Sequence, residues 1–255
     1  MNWIEEFYSK QGEWSGAYSG PPTAEHRQKA SWVHRYAAGA SLRVLELGCG
    51  GGQVVAALAD LGHRVVGVDL CRTAIAHARI LIEDRTDDRA TIVEADFYDV
   101  ALDGPFDVVT YFDGFGVGDD VDQRRLLRRI SEWLAPNGRA LIEVYTPWYW
   151  APLDGRSMSW NDAERRYTFD AEACRVIDTW WPTGRPNEAV TQTLRCYSPA
   201  DLRLLLEPTG LELAEVESGG AYNLDTQVFT PTVPLHEAYQ YLAVLRPNAG
   251  ERLRF

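Results

Sequence analysis

A glycine-rich loop around position 50 constrains the fold of this chain more than any other stretch. Residues 42–47 just before it form an apolar run that is too short for a helix, which predicts a buried strand. Residues 54–61 just after it have helical spacing. Glycines let the backbone turn sharply and leave room for a ligand against the main chain, with the helix N-terminus facing it. The segment therefore predicts a strand, a turn and a helix that bind a nucleotide-like cofactor.

The spacing of these glycines disfavours a dinucleotide. The dinucleotide fingerprint requires G-x-G-x-x-G. Counted from Gly48, its last glycine position holds Gln53, and counted from Gly50 it holds Val55. An oxidoreductase with a nicotinamide cofactor is therefore the weaker alternative.

Acidic residues at the ends of successive strands point to another cofactor. Glu46 lies two positions before the first glycine, and Asp69 ends the next predicted strand, 64–69. A carboxylate there, roughly 20 residues beyond the loop, can accept both hydroxyls of a ribose. Asp96 and Phe97 follow a third short strand, 90–94, and two further strands are predicted at 106–111 and 139–145. This series closely resembles class I S-adenosylmethionine-dependent methyltransferases.

The resemblance implies an α/β fold with a seven-stranded, mostly parallel sheet and helices on both faces. It implies S-adenosyl-L-methionine as the cofactor, with Asp69 on the ribose, Asp96 on the adenine amino group and Phe97 against the ring. Taken singly, Asp69 could cap the following helix and Asp96 could shape a turn. The implied cofactor-binding residues are Glu46, Gly48, Cys49, Gly50, Gly52, Asp69, Leu70, Asp96, Phe97 and Tyr111.

Proline and glycine clusters divide the chain into parts. We predict an N-terminal arm or lid at 1–38 and a methyltransferase domain at 39–255, with an insertion at about 147–197 after strand five. The pattern of the insertion predicts three antiparallel strands at 166–169, 174–181 and 189–196. A helix that starts near Ser198 and strands at 211–216 and 238–245 complete the predicted sheet.

The arm and the segment after strand four are the predicted acceptor site. The arm is rich in aromatic residues and is similar to the lids of small-molecule methyltransferases, including those that tailor antibiotics. Aromatic faces favour a sulfonium cation, although the same rings could simply pack the arm in place. The segment after strand four lies at the carboxyl edge of the sheet, where α/β proteins bind ligands. The candidate catalytic residues are Tyr8, Tyr18, His26, Phe112, Asp113 and Phe115, with Asp113 able to attract a cationic amine.

Carboxylates in the same segment raise the question of a metal. Asp113, Asp119 and Asp120 carry oxygen ligands that suit magnesium. The adjacent pair at 119 and 120 is more typical of a solvated loop and a helix start. We predict no metal.

Composition limits the partners. The chain has 25 basic and 37 acidic residues, a net charge of −12, and no basic run, which disfavours a nucleic acid substrate. The first residues lack a signal-peptide pattern and no window has the apolar length of a membrane span, so we expect a cytoplasmic protein without membrane contact. The four cysteines form no C-x-x-C pair, so we expect reduced thiols and no zinc. A homo-oligomer built through the insertion is a further hypothesis.

The predicted activity is methyl transfer to an N or O atom of a small-molecule acceptor, such as an antibiotic precursor. In-line displacement at a sulfonium needs mainly proximity and orientation. The alternative is a non-catalytic protein that binds S-adenosylmethionine or regulates an assembly.

Overall fold

A computed structural model describes residues 2–83 and 88–248. The helices in this part of the chain are α1 Asn2–Ser15, α2 Ala24–Tyr36, α3 Gln53–Asp60, α4 Arg72–Glu83, α5 Asp120–Trp133, α6 Pro147–Trp150 and α7 Pro199–Leu206. The strands are β1 Arg43–Leu47, β2 Arg64–Asp69, β3 Ala90–Glu94, β4 Phe106–Phe115, β5 Leu134–Tyr145, β6 Ser157–Trp160, β7 Ala163–Asp170, β8 Arg175–Pro182, β9 Val190–Arg195, β10 Leu211–Ser218, β11 Ala221–Asn223, β12 Val228–Thr230 and β13 Gln240–Pro247. Short 3₁₀ turns lie at Ala151–Leu153 and Pro186–Glu188.

The main sheet confirms the predicted fold class. Its seven strands run in the order β10-β13-β5-β4-β1-β2-β3. Strands β1 to β5 pair in parallel, and β13 is antiparallel to both β5 and β10. The strand order reverses between β1 and β4, which opens a crevice at their carboxyl ends. That crevice is where this architecture binds ligands.

The central strands are buried on both faces, which explains their continuous apolar runs. On one face, Leu45 of β1 packs in a cluster with Leu126 of α5. On the other, Val44 lies with Val33 of α2 and Val55 of α3. All five side chains are fully buried, and each contributes roughly 1.5–3 kcal/mol of burial free energy. This core holds the ends of β1 and β4 in place.

The insertion forms a separate antiparallel sheet with one strand more than predicted. Its order is β6-β7-β8-β9, where three strands were expected. The additional strand, Ser157–Trp160, pairs with β7 across a tight turn in which Asn161 has a left-handed φ of 52°. The four residues of β6, Ser-Met-Ser-Trp, are too few to give a strong strand signal, so pairing with β7 makes them a strand.

Helix α1 packs on the inserted sheet. Phe7 is 1% exposed and lies in a cluster with Ala163, Trp180 and Val190 of that sheet. The arm thereby spans from the insertion to the carboxyl edge of the main sheet. The division into an arm at 1–38 and a domain at 39–255 stays a prediction. Within residues 2–83 and 88–248, helices long and apolar enough to cross a membrane are absent.

Candidate active site

A cavity lies between the arm and the carboxyl ends of β1, β2, β3 and β4. Its space between atoms, including the part open to solvent, is about 890 Å³. The predicted site residues in its wall are Tyr8, Tyr18, Gly48, Gly50, Asp69, Leu70, Asp96, Phe97, Tyr111, Phe112 and Asp113. One enclosed space therefore brings together most of the residues that the sequence singled out.

The three glycines of the loop have positive φ values but face different neighbours. Gly48, Gly50 and Gly52 have φ of 63°, 51° and 78°, a region that L side chains rarely adopt. A Cβ at Gly50 would lie 3.0 Å from the Tyr18 ring, at the cavity wall. A Cβ at Gly52 would lie 2.8 Å from Ala78 Cβ on α4. Gly50 thus clears the cavity, whereas Gly52 lets α3 and α4 pack closely.

Asp69 joins the loop to the start of α4. Its Oδ2 accepts a hydrogen bond from the backbone N–H of Gly50 at 2.7 Å, and its Oδ1 accepts one from that of Cys71 at 2.7 Å. Burial raises the pKa of Asp69, while these backbone donors act in the opposite direction. A carboxylate oxygen has more than one acceptor site, so Asp69 can still bind ribose hydroxyls from the cavity wall. Asp69 can therefore accept hydrogen bonds from the start of α4 and from a ligand in the cavity at the same time.

Asp96 also combines a local role with a place in the wall. Its Oδ1 accepts from the backbone N–H of Tyr98 at 2.8 Å, which shapes the turn after β3. The adjacent Phe97 ring lies 5.5 Å from the Tyr111 ring and 5.0 Å from the Tyr98 ring, centroid to centroid. These rings give the Asp96 end of the cavity an aromatic wall suited to a planar base.

Glu46 lies behind the wall at the end of β1. It is 3% exposed, and its Oε2 is buried without a hydrogen-bond partner among the described residues. Burial raises its pKa to about 8, with Lys29 lowering it and Asp69 raising it. A buried unpaired acceptor needs a donor, which an ammonium group on a bound ligand supplies. With the cleared surface at Gly50, this feature fits the S-adenosylmethionine that the sequence implies.

A bulge in β4 brings Asp113 to the opposite end of the cavity. The prediction ended this strand at Tyr111, but it continues to Phe115. Tyr111 pairs with Ile142 and Phe115 with Val144, so three residues of β4 oppose one residue of β5. Bulges re-aim side chains beside active sites. Asp113 sits in the bulge with a left-handed φ of 56° and lines the cavity.

Tyr145 and Lys29 set the electrostatics of Asp113. Tyr145 Oη donates a hydrogen bond to Asp113 Oδ1. Burial raises the pKa of Asp113, while the Lys29 charge and the Tyr145 hydrogen bond oppose the rise. Protein atoms surround Asp113 closely enough to desolvate it, but its surface is exposed and lines the cavity, so a ligand can reach this carboxyl.

Lys29 belongs to an ionic cluster, with one buried and one exposed carboxylate, that the sequence pattern did not predict. Its Nζ lies 3.1 Å from Glu143 Oε2 and 3.3 Å from Glu25 Oε1. Gln240 Nε2 donates to Glu143 Oε1 at 2.6 Å. Burial by itself lowers the pKa of Lys29, but Glu143 and Glu25 outweigh it and raise the pKa above its ordinary value. The Lys29 ammonium lies 5.6 Å from the centre of the Phe112 ring, directly behind the cavity wall.

The sequence contains a pattern that marks Lys29 as an unusual, buried lysine. Only two of the 25 basic residues are lysines, Lys10 and Lys29. Lys29 precedes Ala30 and lies four positions before Val33, both on the apolar side of a helix. A lysine on that side is exceptional because it must be paired when it is buried. Its partner Glu143 is unusual for the same reason, because it is a charged residue within an apolar strand.

The structure does not bring Phe115 and His26 to the cavity. Phe115 is fully buried, with its ring 6.4 Å from that of Tyr111 and 5.6 Å from that of Tyr197. His26 Nδ1 accepts from the backbone N–H of Thr23 at 3.0 Å, which caps the start of α2. Phe115 therefore packs in the core, and the His26 ring acts at a helix end. Cys49 packs behind the wall, where a Cβ on Gly67 would lie 2.9 Å from its Sγ.

Hydrogen bonds hold the arm over the cavity. Tyr8 Oη donates to Gln192 Oε1 on β9 at 3.0 Å, and Tyr18 Oη donates to Gln11 Oε1 at 2.7 Å. Asn161 Nδ2, in the turn of the insertion, donates to the carbonyl of Ser15 at 2.6 Å. The insertion thus anchors the arm, and together they form a roof that can exclude water from a reaction beneath it.

Comparison with known proteins gives a consistent result. Residues 23–216 match the family model described as a methyltransferase domain. A cypemycin N-terminal methyltransferase from Streptomyces sp. is 30% identical over 202 residues, which cover 75% of this chain and 80% of that protein. A ubiquinone biosynthesis O-methyltransferase from Thiobacillus denitrificans is 41% identical over 199 residues, covering 78% of this chain and 76% of that protein.

The fold has a similar solved example. The structure of the CcbJ methyltransferase from Streptomyces caelestis superposes with a TM-score of 0.73. The match covers 94% of this chain and 96% of that one, at 22% identity. The similarity therefore extends over the arm and the insertion as well as the central sheet.

Proposed function

The chain belongs to the S-adenosylmethionine-dependent methyltransferases, and from this premise we propose that it methylates an N or O atom of a small secondary metabolite such as an antibiotic precursor. The two relatives leave both atom types open, because one is named an N-terminal methyltransferase and the other an O-methyltransferase. The earlier alternative of a nicotinamide-dependent oxidoreductase is ruled out by the family. The alternative of a non-catalytic binding protein has no observation in its favour.

The arrangement of carboxylates along one enclosed cavity carries the proposal. Asp69 and Asp96 line the end next to the glycine loop, and Asp113 lines the end at the β4 bulge. A cofactor held at the first end leaves the second for an acceptor. The arm and the insertion roof this cavity, and a roofed cavity supports a small molecule rather than a folded protein or a nucleic acid as the acceptor.

The residues of the chain act by binding, orienting and excluding water. When bound, S-adenosylmethionine supplies a methyl group on a sulfonium sulfur, which needs only a correctly placed acceptor. Asp69 and Asp96 in the cavity wall would hold the cofactor, with the unpaired Glu46 behind the wall as a further acceptor, while Phe112 and Tyr8 confine the methyl acceptor. Holding two reactants in line contributes about 7–11 kcal/mol of the barrier reduction in favourable cases. Proximity is therefore the main catalytic effect in this proposal.

Calorimetric titration tests the cofactor part of this proposal. We expect S-adenosylmethionine and S-adenosylhomocysteine each to bind with micromolar affinity and a stoichiometry of one. Transfer of a labelled methyl group to amine and hydroxyl metabolites then tests the reaction. Absence of binding by either compound would contradict the assigned cofactor site.

We also propose a cytoplasmic homo-oligomer, supported by two observations. Cys49, Cys71, Cys174 and Cys196 are all free thiols, which fits a reducing compartment. The edge strand β6 ends in Trp160, which is 47% exposed, and an open strand edge with an exposed ring favours pairing with a second copy. A monomer at micromolar concentration in sedimentation would contradict the oligomer.

A further inference from the structure

The Asp113 carboxylate differs from the buried carboxylates of Glu143 and Asp178 in that it lines the cavity and lacks a cation of its own. Among the described residues, Lys, Arg and His nitrogens all lie farther than 4.0 Å from its oxygens. The nearby ammonium of Lys29 is paired with Glu143 and Glu25. Asp113 therefore places a negative charge in the cavity wall that the protein does not neutralise at contact distance.

The second nearby cation is also engaged elsewhere. Arg165 binds Asp178 through two hydrogen bonds, from Nη2 to Oδ2 at 2.5 Å and from Nε to Oδ1 at 3.1 Å. Its guanidinium lies 4.6 Å from the Tyr167 ring centre and 4.4 Å from that of Trp180. Such a stacked, bidentate arginine is fixed in place and cannot turn to another carboxylate without losing both contacts.

The group that does contact Asp113 is a neutral donor. Tyr145 donates a hydrogen bond to Oδ1. Among the described residues no donor binds Oδ2, which is left for a ligand in the cavity. Burial and the Asp113 charge raise the pKa of Tyr145, so the phenol remains protonated and adds no charge. Tyr8 and Tyr18, which line the cavity from the arm, are half-buried phenols whose pKa values are likewise raised by desolvation and by the Asp113 charge. The acceptor end of the cavity thus combines aromatic walls, one free carboxylate oxygen and an excess of negative charge.

We propose that the acceptor is an amine, which binds as an ammonium ion against Asp113 Oδ2 and transfers its proton to that carboxylate before methylation. This proposal rests on the proposed methyl-transfer function and names the acceptor atom. An ammonium ion supplies the cation that Asp113 lacks, and its carbon skeleton lies against aromatic rings that also favour cations. A hydroxyl acceptor would develop an oxyanion beside Asp113, with both nearby cations already bound to carboxylates.

The proposed step balances in protons and electrons. The ammonium ion gives one proton to Asp113, which becomes a neutral carboxylic acid. The freed nitrogen lone pair forms the bond to the methyl carbon while the carbon–sulfur bond breaks, and that electron pair stays on sulfur. The product leaves as an N-methylammonium ion, and Asp113 returns its proton to water when the arm opens. Burial, which raises the pKa of this carboxyl, makes it a better proton acceptor.

Matched pairs of amines and alcohols test the choice of acceptor atom. Probes with one ring, benzylamine against benzyl alcohol and cyclohexylamine against cyclohexanol, differ only in the acceptor group. We expect the amines to bind the S-adenosylhomocysteine complex at least tenfold more tightly in calorimetry and to accept labelled methyl groups at least tenfold faster. Equal or tighter binding of the alcohols, or faster methylation of them, would overturn the proposal.

Asp113→Asn tests the residue itself. Asn tolerates the left-handed backbone at this position and still accepts the Tyr145 hydrogen bond, so the variant removes charge with little change in shape. We expect the binding preference for amines to disappear and kcat/KM for an amine to fall about 10²–10⁴-fold. Retained amine preference in this variant would overturn the proposal.

Two controls separate this result from damage to the cofactor site. Asp96→Asn should weaken S-adenosylmethionine and S-adenosylhomocysteine alike, by roughly tenfold or more. Asp99→Asn, at an exposed position, should change nothing. If Asp113→Asn instead weakens S-adenosylmethionine but not S-adenosylhomocysteine, Asp113 serves the sulfonium and the amine proposal is wrong. If the wild-type protein binds neither S-adenosylmethionine nor S-adenosylhomocysteine, the proposed function is refuted, whatever the acceptor.

Discussion

Replacing Lys29 with Met should destabilise the fold far more than any surface lysine change. The side chain of Lys29 is 11% exposed and that of its partner Glu143 is 1% exposed, with Nζ and Oε2 3.1 Å apart. Met has a similar length but no charge, so the change leaves the Glu143 carboxylate buried with Gln240 as its one side-chain donor among residues 2–83 and 88–248. Removing one partner of a buried ion pair costs about 3–5 kcal/mol. For a chain of this size, that predicts a Tm lower by roughly 6–20 °C.

The chain offers a matched control for this prediction. Lys10 is the only other lysine, and it also pairs with a carboxylate, Glu6 Oε1 at 2.8 Å. Its side chain is 37% exposed, so Lys10→Met should change stability by about 0.5 kcal/mol or less. Both variants lose one lysine charge and gain one thioether, and burial of the ion pair is the main difference between them.

Chemical denaturation of Lys10→Met, Lys29→Met, Glu143→Gln and the double variant measures the effect, because the coupling requires both single variants. We expect the double variant Lys29→Met with Glu143→Gln to recover part of the loss, with a coupling of about 0.5–3 kcal/mol. The raised pKa of Lys29 means that its contribution is fully present below the unfolded value of about 10.5 and is lost only above it. Burial raises the pKa of Glu143 and Lys29 opposes that rise, so the pKa is raised further in Lys29→Met; the loss should therefore shrink as the pH falls and Glu143 becomes protonated. A loss below about 1 kcal/mol, or strict additivity in the double variant, would refute the reasoning.

Three further predictions concern the cofactor end of the cavity. Asp69→Ala should weaken S-adenosylmethionine binding by about 1–3 kcal/mol in calorimetry, because a charged acceptor is lost; unchanged affinity would remove Asp69 from the site. Gly50→Val should abolish binding because its side chain projects toward the Tyr18 ring from a backbone with φ of 51°, and a variant that binds normally would discredit the loop assignment. The pKa of Glu46 is raised from about 4.5 to about 8, so its favourable contribution to stability is present below pH 4.5 and is lost as the pH rises to 8. Glu46→Gln should therefore gain up to roughly 4–5 kcal/mol relative to wild type between pH 5 and pH 8 in denaturant titrations; parallel curves would show that Glu46 does not titrate in this range.

The pattern of the sequence predicted the main sheet because each signal was local. A strand, a glycine turn and a helix around Gly50 lie within about twenty residues, and their apolar spacing is specific. Asp69 and Asp96 follow strand ends directly, so their place at the carboxyl edge follows from the parallel arrangement. The family resemblance then supplied the order of the strands. The fourth strand of the insertion, Ser157–Trp160, was missed because its short sequence becomes a strand only by pairing with β7.

His26 and Phe115 show how local patterns also mislead. A histidine near an aromatic arm suggests a base, but its ring closes a capping interaction with Thr23. Phe115 follows two aromatic residues of the acceptor segment, but the β4 bulge turns it into the core while Asp113 faces the cavity. Which way each side chain points depends on the register between β4 and β5, and nothing within residues 111–115 specifies it.

The sequence by itself predicted the strand, turn and helix around Gly50, because short-range patterns encode them, and its resemblance to class I methyltransferases implied the fold and the cofactor. Only the tertiary structure decided how charge is distributed at the acceptor end. Lys29, Glu143 and Tyr145 come from a helix and a strand more than 100 positions apart, and they meet only because α2 packs against β5. Their mutual distances decide that Lys29 is paired while Asp113 is not. The unpaired charge of Asp113 affects ligand binding strongly, because a charge in a cavity wall interacts far more strongly with a ligand than the same charge in water.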